Sequence, residues 1–107
     1  MMAWDVEYLK EAVKDLSTLD PPQRLQVLKV IQKVSENPLP RSEGGFGKPL
    51  GNHAATKLSG YYKIKLLRLG IRVVYGLVRK RGVMRIIVIS VRTDEMVYKL
   101  AEKRLKK

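Results

Sequence analysis

The chain of 107 residues has no cysteine and one histidine, His53. The first absence excludes a disulfide framework and any thiolate metal centre. The second leaves too few imidazoles for a histidine-rich metal site, so neither cofactor nor metal is implied. There is no long apolar run, and the segment after Met1 is acidic and amphipathic. That pattern predicts no secretory signal, no membrane span, no membrane partner and a cytoplasmic location. The length predicts a single domain over 1–107, and a hydrophobic content of 45% argues for a packed core rather than a basic disordered tail.

The most informative shortage is of carboxylates. Lys and Arg number 22 against 10 Asp and Glu, a formal charge of +12. The excess is local: residues 1–38 hold five basic and six acidic side chains, whereas residues 44–93 hold eleven basic ones and no acidic one. A field of one sign opposes folding by self-repulsion, so such a block points to a polyanionic partner. Nucleic acid leads, because neutralising phosphates releases condensed counterions. An acidic protein, a membrane surface and a merely solvated basic face are the alternatives.

Alternation of Trp4, Val6 and Tyr8 with polar residues predicts a short N-terminal strand, with Trp4 in the core rather than stacked on a base. Leu9, Ala12, Val13 and Leu16 then share one face of a helix ending near Ser17 to Leu19. Asp20-Pro21-Pro22-Gln23 predicts a restart with Asp20 as cap, and Leu25, Leu28, Ile31 and Val34 form the buried stripe of a second helix that Asn37-Pro38 stops. The two helices form an antiparallel hairpin. Six glycines and prolines between Leu39 and Asn52 predict a mobile loop, with His53 just beyond it as an exposed loop residue.

From Tyr61 the period becomes two. Turns at Leu69-Gly70 and Lys80-Arg81-Gly82 divide the next stretch into a three-stranded antiparallel meander ending at Ser90. Thr93 caps a final helix with Val97, Leu100, Ala101 and Leu105 on its apolar face. The order strand, helix hairpin, meander, helix predicts an α+β sandwich with the helices on one face of the sheet. A two-residue turn at Leu69-Gly70 pairs Leu67 with Arg72 and puts Tyr62, Ile64, Leu66, Val73, Tyr75 and Leu77 on the face under the helices. Lys63, Lys65 and Arg72 then fall on the other face, with Lys65 and Arg72 as diagonal neighbours roughly 7 Å apart. Three clustered cations suit a phosphate, and solvated strand lysines are the plainer alternative. Tyr61, on the cation face, is a stacking candidate. Lys103 and Arg104, with Lys106 and Lys107, make a basic tail that suits sequence-independent RNA anchoring or a frayed end.

The run Leu58-Ser59-Gly60-Tyr61-Tyr62-Lys63-Ile64-Lys65-Leu66, the segment Gly70-Ile71-Arg72-Val73-Val74-Tyr75, and Val88-Ile89-Ser90-Val91-Arg92 followed by Tyr98 resemble the RelE/ParE superfamily of bacterial and archaeal toxins, the RelE branch most closely. The resemblance covers nearly the whole chain in element order. It implies a toxin of a type II toxin–antitoxin system, an endoribonuclease that cuts mRNA in the ribosomal A site and is held inactive by an acidic RelB-type antitoxin in a hetero-oligomer. Lys63 and Lys65 match the family's paired strand lysines, Arg72 its meander arginine, Arg92 the arginine after the last strand and Tyr98 the tyrosine of the C-terminal segment. Attack by an RNA 2′-hydroxyl needs a base, positive charge for the transition state and an acid for the 5′-oxygen. Lys63, Lys65 and Arg72 supply charge, and their clustering lowers a lysine pKa toward use as a base. Tyr98 is base or stacking platform, and Arg92 supports the leaving group. Side chains titrating near 10 are poor proton shuttles, so the ribosome is expected to supply much of the rate by positioning. The segment Ser90-Val91-Arg92-Thr93-Asp94-Glu95 departs from the family by being shorter and by setting two carboxylates beside Arg92, which makes Arg85 a substitute candidate. A ParE-type inhibitor of DNA gyrase and an inactive RNA-binding module of the same fold are the competing functions.

Overall fold

In the computed structural model, which describes residues 3–53 and 56–106, five strands join in one sheet of order β1-β5-β4-β3-β2. Strand β1 (Asp5–Tyr8) leads through α1 (Lys10–Ser17) and α2 (Pro21–Ser35) to a short 3-10 turn, Arg41–Glu43. Strands β2 (Lys48–His53), β3 (Thr56–Leu66), β4 (Ile71–Val78) and β5 (Val83–Ser90) follow, and α3 (Asp94–Leu105) ends the chain. β1 runs parallel to β5, and the remaining pairings are antiparallel. The α+β class, the N-terminal strand, the helix hairpin, the meander and the C-terminal helix are those expected from the sequence.

Several expectations need correction. The helices lie on both faces of the sheet. α1 and α2 cover Tyr62, Leu66, Ile71, Val73, Tyr75, Met84 and Ile86, whereas α3 packs through Val97, Tyr98 and Ala101 against Val74, Ile87 and Val88 on the reverse face. An eight-residue strand buried on both sides reads as a continuous apolar run, which β5 is from Ile86 to Ile89. On α2 the buried stripe is Val27, Ile31 and Val34, leaving Leu25 and Leu28 exposed, and on α1 Val13 is exposed too. The α2 sequence offers two overlapping apolar stripes, and the sheet takes the β-branched one. Asp20 makes no side-chain cap bond. Pro21 and Pro22 remove two of the amides that a cap would satisfy. Arg24 instead donates to the carbonyls of Leu16, Ser17 and Leu19, closing the end of α1 against the start of α2.

The stretch expected to be a mobile loop is pinned and then enters the sheet. Pro40 bridges Gly47, Phe46 N donates to Asn37 O, Gly47 N to Leu39 O, and the Tyr75 hydroxyl to Pro38 O. β2 then pairs with β3, and His53 ends that strand, its side chain lying outside the described residues.

Beyond the end of β1, residues 87–89 of β5 have no strand neighbour on that side. Two charged side chains complete them. Arg104 donates to Ile87 O at 2.8 Å and to both Asp15 oxygens at 2.7 and 3.0 Å, while Asp15 accepts from Ile89 N at 3.0 Å. The pair stitches α1, β5 and α3 together with only 10% and 18% of the side chains exposed. Arg104→Ala leaves an unpaired carboxylate and an unsatisfied carbonyl, so we expect a loss of about 3 kcal/mol of folding stability by urea denaturation. A loss under 0.5 kcal/mol would contradict this role.

Candidate active site

The reverse face of the sheet carries the cations. β3 and β4 are joined by a four-residue turn rather than two, so the register differs from expectation by two residues and Lys65 stands directly opposite Arg72. A two-residue hairpin would put Leu69 at positive φ, whereas among the described residues only glycines adopt it, here Gly70 at 65°. A shift of two preserves the face of every side chain. Lys63, Lys65 and Arg72 therefore stay together, and closer than the diagonal arrangement would hold them.

α3 lies over this cluster. Thr93 caps it as expected, accepting from Met96 N. Residues four apart share a helix face, so Asp94 and Tyr98 both point to the sheet. The Lys63 ammonium donates to the Tyr98 hydroxyl at 2.9 Å and sits 5.5 Å from the ring centroid. The Asp94 carboxylate joins the other two cations: Lys65 Nζ lies 3.1 Å from one oxygen, and Arg72 Nε donates to the other. Arg72 also donates through Nη1 to the Arg92 carbonyl at 2.8 Å, fixing the segment that leads into α3.

Burial lowers the Lys63 pKa from the ordinary lysine value, the nearby Lys65 and Arg72 charges lower it further, and Asp94 opposes them. Burial acts to raise the Asp94 pKa, but hydrogen bonds and charge from Lys65 and Arg72 together outweigh it and hold the group below the usual carboxylate range. Burial, then the Asp94 charge, raises the Tyr98 phenol. The set thus comprises an ionised carboxylate between two cations, a neutral phenol, and a lysine that sheds its proton more easily than a free one.

Of the residues expected at a site, the fold unites Lys63, Lys65, Arg72 and Tyr98, and brings Arg92 in through its backbone. The Arg92 side chain is exposed beside this group, and Asp94 neutralises Lys65 and Arg72 rather than Arg92. Tyr98 is only 4% exposed, so no base can stack on it while α3 is seated. Tyr61 and Arg85 share the face but form a separate group. The Tyr61 ring covers Gly76, whose missing side chain makes room for it, and Arg85 is paired with Glu7. Arg85 pairs with Gly76, four residues along β4 from Arg72, or roughly 13 Å. Lys103 is exposed on α3, whereas Arg104 is committed to Asp15 instead of being offered as an anchor. Sequence alone sets Asp94 beside Arg92 and not toward Lys65 and Arg72. The available signal was its spacing of four from Tyr98 in the first turn of a capped helix.

No family model matches the chain. A putative RelE-like toxin protein of Escherichia coli is 27% identical over 108 residues, covering 98% of this chain and 100% of the relative. Among solved structures, an arginine double mutant of the E. coli toxin RelE in the free state is similar with a TM-score of 0.73 at 26% identity, covering 97% of this chain and 99% of that one. The same mutant in complex with an antitoxin RelBc peptide is similar with a TM-score of 0.70 at 26% identity, covering 94% and 95%. Sequence and fold, each matched from end to end, support the RelE toxin family as the family of this chain.

Proposed function

We propose that the protein is the toxin of a type II toxin–antitoxin system and an endoribonuclease that cuts mRNA in the ribosomal A site. The observation that carries this reading is the convergence of Lys63, Lys65 and Arg72 on one sheet face beside Tyr98 and Asp94. In the cleavage step Lys63, as the neutral amine, takes the proton of the 2′-hydroxyl, and the oxygen attacks the adjacent phosphorus. Lys65 and Arg72 stabilise the charge that builds on the phosphoryl oxygens, and the 5′-oxygen leaves and takes up a proton. The products are a 2′,3′-cyclic phosphate and a 5′-hydroxyl. Arg92 faces the leaving group. Tyr98, a phenol whose pKa burial raises still further, orients Lys63 by hydrogen bonding rather than acting as the base.

Asp94 supports a dependence on the ribosome. Its carboxylate holds the two cations that the scissile phosphate needs, so RNA must displace it, and a weakly held oligonucleotide lacks the binding energy to do so. Ribosomal positioning of the message supplies that energy. The partner under this reading is an acidic antitoxin in a cytoplasmic hetero-oligomer, by analogy with the RelE structure bound to an antitoxin peptide. The local charge block, with eleven cations and no carboxylate over 44–93, suits both an acidic protein and RNA.

Translation of a defined message with purified ribosomes tests the proposal. Codon-phased cuts bearing 5′-hydroxyl ends are expected when the toxin is added, and their suppression by an adjacent short acidic gene product would identify the antitoxin. Intact message with blocked DNA supercoiling would replace this reading with gyrase inhibition.

A further inference from the structure

Resting on the ribonuclease reading, we propose that the cleft between the 37–47 loop and the free edge of β3 binds a nucleotide flanking the scissile phosphate, with the base on Phe46 and phosphate on Arg41 and Lys48. β2 pairs with β3 only as far as Lys63, so β3 beyond that point has an open edge. There a cleft of about 430 Å³ forms, with Val34, Ile64 and Phe46 on its apolar side and Arg41, Lys48 and Lys65 around it. This size is in the range of small-ligand sites. It is continuous with the active site, because Lys65 belongs to both.

Phe46 is the only phenylalanine of the chain and is 50% exposed, yet it stands on a fixed support. Its amide donates to Asn37 O, and its two neighbours are glycines packed against backbone: a Cβ on Gly45 would meet Leu39 O at 2.0 Å, and one on Gly47 would meet Pro38 O at 2.9 Å. Burying this ring would have been the default use of a phenylalanine. Instead, a tightly hydrogen-bonded loop holds it out, which is how a stacking platform avoids losing side-chain freedom on binding.

The surrounding charge selects the ligand. The Arg41 and Lys48 head groups are exposed and make no hydrogen bond or ion pair among the described residues. The nearest loop carboxylate, Glu43, is taken by Arg79 through two bonds of 2.9 and 2.8 Å. An aromatic face flanked by two unpaired cations, with no acid on the cleft wall, complements a nucleotide.

The test uses a 2′-O-methyl hexanucleotide, which binds without being cut, followed by fluorescence anisotropy at low salt with the full chain. Phe46→Ala should weaken binding roughly tenfold or more, and Phe46→Trp should restore it and show indole quenching by RNA beyond that of Trp4 in the parent. Arg41→Ala with Lys48→Ala should reduce the slope of log affinity against log salt by about one. If Lys65→Ala loses binding while Phe46→Ala stays within twofold of the parent, the cleft assignment is wrong and the ribonuclease reading stands. No binding by the parent would overturn the cleft assignment, whereas the ribonuclease reading stands or falls on cleavage with ribosomes. Quenching of Phe46→Trp by a short acidic peptide and not by RNA would overturn the proposal in favour of a protein ligand.

Discussion

Replacing Lys65 and Arg72 together by alanine is expected to slow mRNA cleavage on the ribosome by roughly 10³-fold or more, since losing one preorganised donor to a developing oxyanion commonly costs 10²- to 10³-fold. The two side chains face each other across β3 and β4 and meet the same carboxylate, so they act on one phosphate rather than two. Their losses should therefore be less than additive. The fold should survive, because both side chains and Asp94 are about a third exposed and no buried charge is orphaned. A further variant with Asp94→Ala added separates charge from packing. It removes the unpaired carboxylate and should melt as the parent does, yet remain inactive. Arg72→Lys tests geometry alone. It keeps the charge but loses the fork that bonds Asp94 and the Arg92 carbonyl together, so intermediate activity is expected. Undiminished cleavage by the Lys65→Ala, Arg72→Ala protein would refute the site.

The parts of the fold that follow from periodicity were legible in the sequence. The alternation of Tyr62, Ile64 and Leu66 against Lys63 and Lys65 assigns both faces of β3 correctly even with a two-residue turn, because the observed register differs from that one by an even number. The placement of α3 was not legible. Its Val97 and Ala101 stripe says that one face is buried but not against which side of the sheet, and the continuous apolar runs of β4 and β5 are what hint that both sides are covered. β2 was hidden by Pro49 and Gly51, residues that usually signal a loop. An edge strand tolerates both, and the pairing is irregular between them. Arg104 sits in a run of basic residues, and only the unpaired stretch of β5 explains why this one is buried.

Asp94 carries the same lesson to the site. Two residues from Arg92 in sequence, it invites a pairing with that residue. In the helix it turns toward Lys65 and Arg72, while its neighbour Glu95 faces solvent and pairs with Lys99. The electrostatics of the site were thus half-read from sequence: the cations by alternation, the counterion only by knowing which face of α3 meets the sheet. The result is a site in which one carboxylate already holds two of the three cations before substrate arrives, which fits the proposed action on a positioned message rather than on free RNA.

Lys63→Met is expected to lower the cleavage rate by roughly 10²- to 10⁴-fold, the usual range for removing a positioned general base. Lys63→Arg distinguishes that role from simple charge, because it retains the cation but cannot donate a lone pair near neutral pH. It should be nearly as inactive as Lys63→Met, and substantial activity would move the base elsewhere. The pH profile gives the sharper result. The base works only as the neutral amine, so activity should climb with pH until Lys63 has lost its proton, and burial together with Lys65 and Arg72 brings that limb below the range of a free lysine. The Asp94 charge favours the ammonium form. Asp94→Asn removes it while leaving a side chain of similar shape at the start of α3, so Lys63 should deprotonate more readily and the ascending limb should move to lower pH. The same substitution frees Lys65 and Arg72 for phosphate, so at a fixed neutral pH the variant should cut faster and need less ribosomal help. A limb that stays in place or moves upward would show that Lys63 is not the group titrating, whatever the rate. A faster enzyme with a lowered limb would establish that this carboxylate restrains the toxin through the three cations it faces.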